Sequence, residues 1–367
     1  MEGEMPKQTA IYGAGELGGI FLEGLREARR VDFFIDQYSP KSHHMGLPVT
    51  RLEDVDDPAE VRLYVAVVSR QSKRDAPEAG LESQLRARGF DVVPFEESIT
   101  SLPNAFRDYA RREHLWWRTK PEEMVDVEEV DWLRDRLEDE QSKDVLDRIV
   151  RFRRTLEPAD YVSPDDEVEY FPDNVPVFDG IDSLRFCDCG AYIGDTLDDL
   201  EGVWQRDLDF AVSFEPDGEN LQVLRETAQR LSRSRPGSDF IVVPGGVWSG
   251  DAIVSFSSGN TSSSSIGEHD SAGALVPVFS LDSMLASAAP NFIKMDIEGA
   301  EQEALQGASE IISQFRPTLA ICVYHKPRDL WEIPRMVLSM QPDYRLYLRV
   351  HNHLGLSTVL YCCPNQR

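Results

Sequence analysis

Four short segments place carboxylates and glycines where a nucleotide-binding sheet needs them. In FCDCGAYIGDT, residues 186–196, a strand that enters through Arg185, Phe186 and Cys187 delivers Asp188 at its end. Gly190 and Gly194 then allow the backbone to turn tightly against a ligand, and Asp195 and Thr196 suit a helix start. A second apolar run, Phe210 to Phe214, ends at Glu215-Pro216, where a carboxylate can accept hydrogen bonds from both hydroxyls of a ribose. A third run, Phe240 to Val243, leads into PGGVWSG, whose Gly245 and Gly246 let a flat ring such as adenine approach the backbone. In NFIKMDIEGAE, residues 291–301, a strand presents Asp296 and Glu298 at its carboxyl end and a helix opens at Gly299. Taken singly, each segment also reads as an ordinary turn between strand and helix. In order along one domain, they place their carboxylates around the crevice where open α/β sheets bind ligands.

These segments, with RPTLAICVYHKPRDLWEIP and the final YRLYLRVHNHLGLSTVLY, resemble the FkbM-type family of S-adenosylmethionine-dependent methyltransferases. The resemblance spans about residues 160 to 367. It implies an α/β fold with a class I methyltransferase seven-stranded sheet, S-adenosyl-L-methionine as the methyl donor, and transfer to a hydroxyl of a sugar, glycan precursor or secondary metabolite. Carried over position by position, it implies cofactor contacts at Asp188, Gly190, Ala191, Tyr192, Gly194, Asp195, Thr196, Glu215, Pro216, Gly246, Val247 and Asp296. The chain departs from the family pattern twice. Gly245-Gly246-Val247-Trp248 stands where many members carry an asparagine-containing segment, and Val323-Tyr324-His325-Lys326 stands where many close the fifth strand with a carboxylate.

Methyl transfer to oxygen is an in-line displacement, so positioning carries much of the rate, and a base assists a poorly nucleophilic hydroxyl. The catalytic candidates are Asp296, Glu298 and His325. As alternate residues of a strand, Asp296 and Glu298 are expected on opposite sides. His325 follows the buried run ICVY, and an ordinary imidazole there suits proton abstraction near neutrality; a loop-bonding histidine is the plainer alternative. Asp296 and Glu298 also offer oxygen ligands for a magnesium ion, and no metal is assigned. His351 and His353 share one face of a terminal strand by their spacing, without a third ligand. Lys326, Arg328 and Asp329 are candidates to orient a phosphorylated or sugar acceptor, with a structural turn at Pro327 as the competing account.

Three regions position these residues: an α/β domain over residues 1–100, a helical connector over 101–160 and the methyltransferase-like domain over 161–367. The first is expected to be Rossmann-like. It contains Gly13-x-Gly15-x-x-Gly18, a helix with Leu17, Phe21, Leu22 and Leu25 on one side, and a strand ending at Asp36. A nicotinamide dinucleotide, a nucleoside-diphosphate sugar or no ligand at all fits that pattern. An NAD(P)-dependent oxidoreductase and a non-catalytic nucleotide-binding scaffold therefore stand as alternative functions. In the connector, Val130, Leu133, Leu137, Val145, Leu146, Ile149 and Val150 recur at helical spacing. Trp116-Trp117 with Arg111, Arg112 and Arg118 suggests either a buried joint or a glycan contact. EYFPDNVPVF, residues 169–178, resembles the family's segment preceding the catalytic sheet, which implies a place over the acceptor site, and its prolines predict an extended loop. The serine-rich stretch 255–273 reads as a loop or hairpin, with a lid as the sharper alternative.

The formal charge of −27, from 65 acidic and 38 basic residues, argues against nucleic acid and anionic membranes as partners. A small-molecule or saccharide acceptor, free or nucleotide-linked, is the expected partner, and a homo-oligomer is compatible with the sequence. Seven lysines stand against 31 arginines, which fits adaptation to high salt as well as a high-GC genome. The N-terminal segment lacks a basic stretch followed by an apolar core, and no apolar run approaches 18 residues, so a cytoplasmic chain is expected. Five cysteines without a Cys-x-x-Cys pair read as buried thiols rather than a disulfide framework.

Overall fold

The computed structural model describes residues 8–26, 29–67, 81–102, 125–155, 158–257, 265–267 and 274–365. The Trp116-Trp117 group and part of the serine-rich stretch lie outside these residues. The chain is a mixed α/β protein built on sheets with mostly parallel pairings. It divides into two compact units. One comprises Met1–Met124, Arg148–Ser163 and Asn352–Leu354, and the other Val125–Asp147, Pro164–His351 and Gly355–Arg367.

The first unit holds a six-stranded sheet of β1 (Gln8–Tyr12), β2 (Phe33–Ile35), β3 (His43–His44), β4 (Leu47–Thr50), β5 (Val61–Val65) and β6 (Asp91–Val93). Their order is β3-β4-β2-β1-β5-β6, and β3 against β4 is its antiparallel pair. The helix Glu16–Arg26 buries Phe21, Leu22 and Leu25, the spacing by which an amphipathic helix covers a sheet. Asp36, beyond the end of β2, accepts the Ala14 amide at 2.8 Å and those of Tyr38 and Ser39 at 2.9 and 2.8 Å. Burial works against its charge, but these amides prevail and lower its pKa.

The second unit is centred on seven strands: β7 (Ser183–Cys189), β8 (Asp207–Glu215), β9 (Asp239–Pro244), β14 (Phe292–Met295), β15 (Thr318–Cys322), β16 (Arg345–Val350) and β17 (Thr358–Cys363). The order is β16-β17-β15-β14-β7-β8-β9. Pairings from β15 through β9 are parallel, whereas β17 runs antiparallel to both its neighbours. Every residue of β14, β15 and β17 is buried. Such continuous runs, rather than alternating ones, are what strands covered on both faces require. Phe171, Phe178, Phe186 and Phe292 pack with centroids 5.5–5.8 Å apart, and Trp204 extends the cluster from Phe178 at 4.8 Å.

The helix Gly218–Ser234 is capped by Asp217, whose side chain accepts the amides of Glu219 and Asn220, and it buries Leu221, Leu224, Ala228 and Leu231. A smaller sheet, ordered β10-β13-β11-β12, joins β10 (Gly246–Val247), β11 (Ala252–Ser257), β12 (Ser265–Gly267) and β13 (Ala274–Phe279). The described parts of the serine-rich stretch thus pair as antiparallel strands. Among the described residues, no helix is long and apolar enough to cross a membrane.

Candidate active site

The chain runs from β7 to β8 to β9 on one side of the seven-stranded sheet and through β14 and β15 on the other. The strand order therefore reverses between β7 and β14, and a crevice opens beyond their carboxyl ends. The loop 190–194 leaves β7 at that point. Gly190 has φ +83, and a Cβ there would lie 2.0 Å from the Asp296 carbonyl oxygen, so only glycine fits. The amides of Gly190 and Ala191 donate to the Phe214 carbonyl at 3.1 and 3.0 Å. Tyr192 is 45% exposed, the largest side chain of the loop facing outward. Gly194, at φ +91, caps the helix Asp195–Val203. Asp195 is exposed at the helix start, while Thr196 turns inward and is buried.

Glu215 ends β8 and ties this loop down. Its Oε2 accepts the Tyr192 amide at 2.9 Å, and its Oε1 accepts the Asp217 amide at 2.8 Å and Asn220 Nδ2 at 3.4 Å. The side chain is buried; desolvation raises its pKa and these donors oppose the rise. Oε2 keeps a lone pair beyond the Tyr192 bond. Pro216 is half-buried, and Gly246 and Val247 are buried in β10. The amide of Gly245 donates to the Glu215 carbonyl at 3.0 Å, which joins the third segment to the second.

Asp188, the next-to-last residue of β7, is buried. Its side chain is fully buried, with Oδ1 3.0 Å from Lys294 Nζ. Lys294 also donates to the Gly190 carbonyl at 2.6 Å, and its ammonium lies 5.1 Å from the Tyr170 ring centroid. Burial works against the charge on Lys294, yet the carboxylates of Asp188 and Asp296 outweigh it and push its pKa above the ordinary lysine value.

Asp296, Glu298 and His325 come together. The expectation that Asp296 and Glu298 face opposite ways does not hold, because β14 ends at Met295 and its alternation ends with it. Glu298, at φ +55, and Gly299, at φ +97, reverse the backbone. His325 Nε2 then lies 3.4 Å from Asp296 Oδ1 and 3.5 Å from Glu298 Oε2. On its other side, His325 Nδ1 is 2.9 Å from Glu301 Oε1, in ion-pair contact but without hydrogen-bond alignment. Asp296 accepts the Tyr170 hydroxyl at 2.8 Å on Oδ2 and the Tyr324 hydroxyl at 3.3 Å on Oδ1.

The electrostatics of this cluster bear on the proton held by His325. Burial disfavours the imidazolium, but Glu301, then Asp296 and Glu298, prevail and raise its pKa from 6.5 to about 9. The three carboxylates thus favour the protonated ring. Nor do His351 and His353 share a strand face: β16 ends at Val350, and His353 opens a short 3-10 turn. His351 Nε2 bonds the Tyr361 hydroxyl at 2.8 Å, and His353 Nδ1 bonds that of Tyr161 at 2.7 Å. In the HKPRD turn, Asp329 accepts the Lys326 amide at 3.1 Å and Gln302 Nε2 at 2.9 Å. Arg328 pairs with Glu332 at 2.7 Å. These contacts describe a structural turn.

Lys294, Glu301, Tyr170 and Tyr324 were not among the sequence candidates. A lone lysine inside FIKM, with a lone aspartate inside FCDC, is the sequence signal that could have found the buried pair. Tyr170 belongs to the segment expected over the acceptor site, and its hydroxyl is what reaches Asp296.

Residues 188–354 match the methyltransferase FkbM domain family. Among solved structures, a methyltransferase FkbM from Methylobacillus flagellatus KT is 25% identical, with 97% of this chain and 90% of that chain covered and a TM-score of 0.61. No curated protein shows significant similarity to the chain. The family match over residues 188–354 and the structural likeness both point to a methyltransferase of the FkbM type.

Proposed function

We propose that the chain is an S-adenosylmethionine-dependent O-methyltransferase whose acceptor is a hydroxyl of a sugar, a glycan precursor or a secondary metabolite. The observation that carries this reading is the crevice between β7 and β14, with a glycine turn on one wall and the Asp296–Glu298 carboxylates on the other. Such a reversal of strand order is where open α/β sheets take their ligands.

The residues fit a sulfonium nucleoside donor. The Gly190–Gly194 turn brings backbone close to the crevice without a Cβ at Gly190, and Glu215 Oε2 keeps an acceptor position for a ribose hydroxyl. The donor supplies an electrophilic methyl carbon. In the transfer a bond would form from the acceptor oxygen to that carbon, the carbon–sulfur bond would break with its electron pair going to sulfur, and the hydroxyl proton would pass to solvent water. Asp296, held by two tyrosine hydroxyls, fixes one wall against which the acceptor is oriented. Orientation of this kind is worth roughly 7–11 kcal/mol of a barrier, against about 3–5 for a general base.

Calorimetric titration of the chain with S-adenosylhomocysteine, in low and in high salt, tests the reading. One saturable site supports it, and a second site for a nucleoside-diphosphate sugar directs the search for the acceptor. Folded protein that binds no S-adenosylhomocysteine in either buffer, yet binds NAD, overturns it in favour of a nicotinamide enzyme. Binding without turnover against hydroxylated acceptors leaves a non-catalytic scaffold.

A further inference from the structure

We infer that Asp36 and Tyr38 form a second nucleoside site, within the first unit, that takes the ribose diol and the base of a ribonucleotide. In the six-stranded sheet the chain passes from β1 through β2 to β4 on one side and through β5 to β6 on the other, with β1 parallel to both β2 and β5. The strand order therefore reverses between β1 and β5, and that reversal opens a crevice beyond their carboxyl ends.

Four contacts repeat those of the crevice between β7 and β14. The Gly13 amide donates to the Ile35 carbonyl at 2.8 Å, as that of Gly190 donates to Phe214 at 3.1 Å. The Ala66 amide donates to the Tyr12 carbonyl at 2.9 Å, as that of Asp296 donates to Cys189 at 3.1 Å. Asp36 Oδ2 accepts the Ala14 amide of the glycine turn, and its Oδ1 accepts the amide of Tyr38, two residues on. Glu215 does the same with Tyr192 and Asp217. Gly15 is exposed, and a Cβ there would meet nothing within 4 Å, so the turn stands open to a ligand.

Asp36 is suited to a ribose in particular. Ser39 also donates to its Oδ1, at 2.8 Å, while Oδ2 keeps a lone pair beyond the Ala14 bond. The carboxylate is half-buried and held ionised by these amides, so it accepts from a hydroxyl and repels a phosphate at that position. Arg51 Nη1 donates to the Asp36 carbonyl at 2.8 Å and brings a guanidinium to the same rim. Tyr38 is 93% exposed although its amide is pinned to the carboxylate. An uncovered aromatic ring beside a ribose position is a stacking platform for a base. Diol and base are common to dinucleotides and nucleoside-diphosphate sugars, and the site recognises that shared part. It belongs to the first unit alone and stands whether or not the second unit binds S-adenosylmethionine.

The test is calorimetric titration of the full chain, with S-adenosylhomocysteine in excess, against ADP and UDP, each beside its 2′-deoxy form. One saturable site is expected for at least one of the two, with affinity roughly tenfold lower for the 2′-deoxy nucleotide and in D36N. Y38A should weaken binding about fivefold, and E215A should leave it unchanged. Tyr38 is exposed, so Y38A keeps the assignment testable where D36N does not fold. NAD and UDP-glucose then distinguish a dinucleotide from a sugar nucleotide as the source of the nucleoside. Folded chain that binds neither ADP nor UDP overturns the site. Binding indifferent to the 2′-hydroxyl overturns it too, as does binding lost in E215A but kept in D36N and Y38A. Should S-adenosylhomocysteine fail to bind while ADP or UDP binding depends on Asp36, the methyltransferase reading falls and this site stands.

Discussion

Lys294 and Asp188 are register partners on adjacent parallel strands, and their side chains form an ion pair that is almost wholly enclosed. Neither strand has another charged residue in its buried interior. The lysine also bonds the Gly190 carbonyl, so this pair supports the loop that opens the crevice. Removing one partner strands the other charge, which typically costs about 3–5 kcal/mol. Lys294→Met should lower the urea midpoint accordingly, while the double variant D188N/K294M should recover part of the loss. Equal destabilisation by both would show that packing, not charge, holds this point.

Glu215→Ala should weaken S-adenosylhomocysteine binding by more than tenfold, about 1.4 kcal/mol, because it removes an acceptor and frees the Tyr192 amide. Glu215→Gln keeps an acceptor oxygen and should lose less. Calorimetry on both variants separates the two contributions, and unchanged affinity in the alanine variant would remove Glu215 from the site.

The pKa of His325, raised from 6.5 to about 9, carries a stability consequence. The folded chain holds this proton more tightly than the unfolded chain. Its contribution is therefore complete below about pH 6.5 and is lost as pH rises through about 9. Asp296, Glu298 and Glu301 face the ring and supply the shift. Denaturation midpoints measured without metal should decline across that window, and the decline should shrink in H325Q. A histidine resonance titrating near 6.5, absent from H325Q, would contradict the charged ring.

Tyr170→Phe removes the 2.8 Å bond to Asp296 but keeps the ring under the Lys294 ammonium. A hydrogen bond to a charged group contributes about 1.5–3 kcal/mol, so kcat should fall roughly ten- to a hundredfold with S-adenosylhomocysteine affinity retained. A change confined to cofactor affinity would place Tyr170 on the donor side instead.

The strand ends at Asp188, Glu215 and Asp296 were legible because parallel strands buried on both faces leave continuous apolar runs that stop abruptly at a polar residue. What those carboxylates do was less legible. Asp188 has the same local pattern as Glu215, and only a lysine more than a hundred residues along the chain turns it inward. The grouping of Glu298 with Asp296 depends on a left-handed residue just after β14, and period-two alternation gives no sign of it. The charge on His325 depends on three acids, of which Glu301 was read only as the end of a strand–helix motif. Sequence spacing ranks local elements well, whereas the protonation of a buried ring is set by neighbours from separate parts of the fold.

A Cβ at Gly190 would meet the carbonyl oxygen of Asp296 at 2.0 Å. The glycine turn after β7 and the backbone that bears Asp296 therefore touch with no side chain between them. Whatever shifts one of these segments shifts the other, so their spacing is set by a backbone contact that no lengthening or shortening of a side chain can retune.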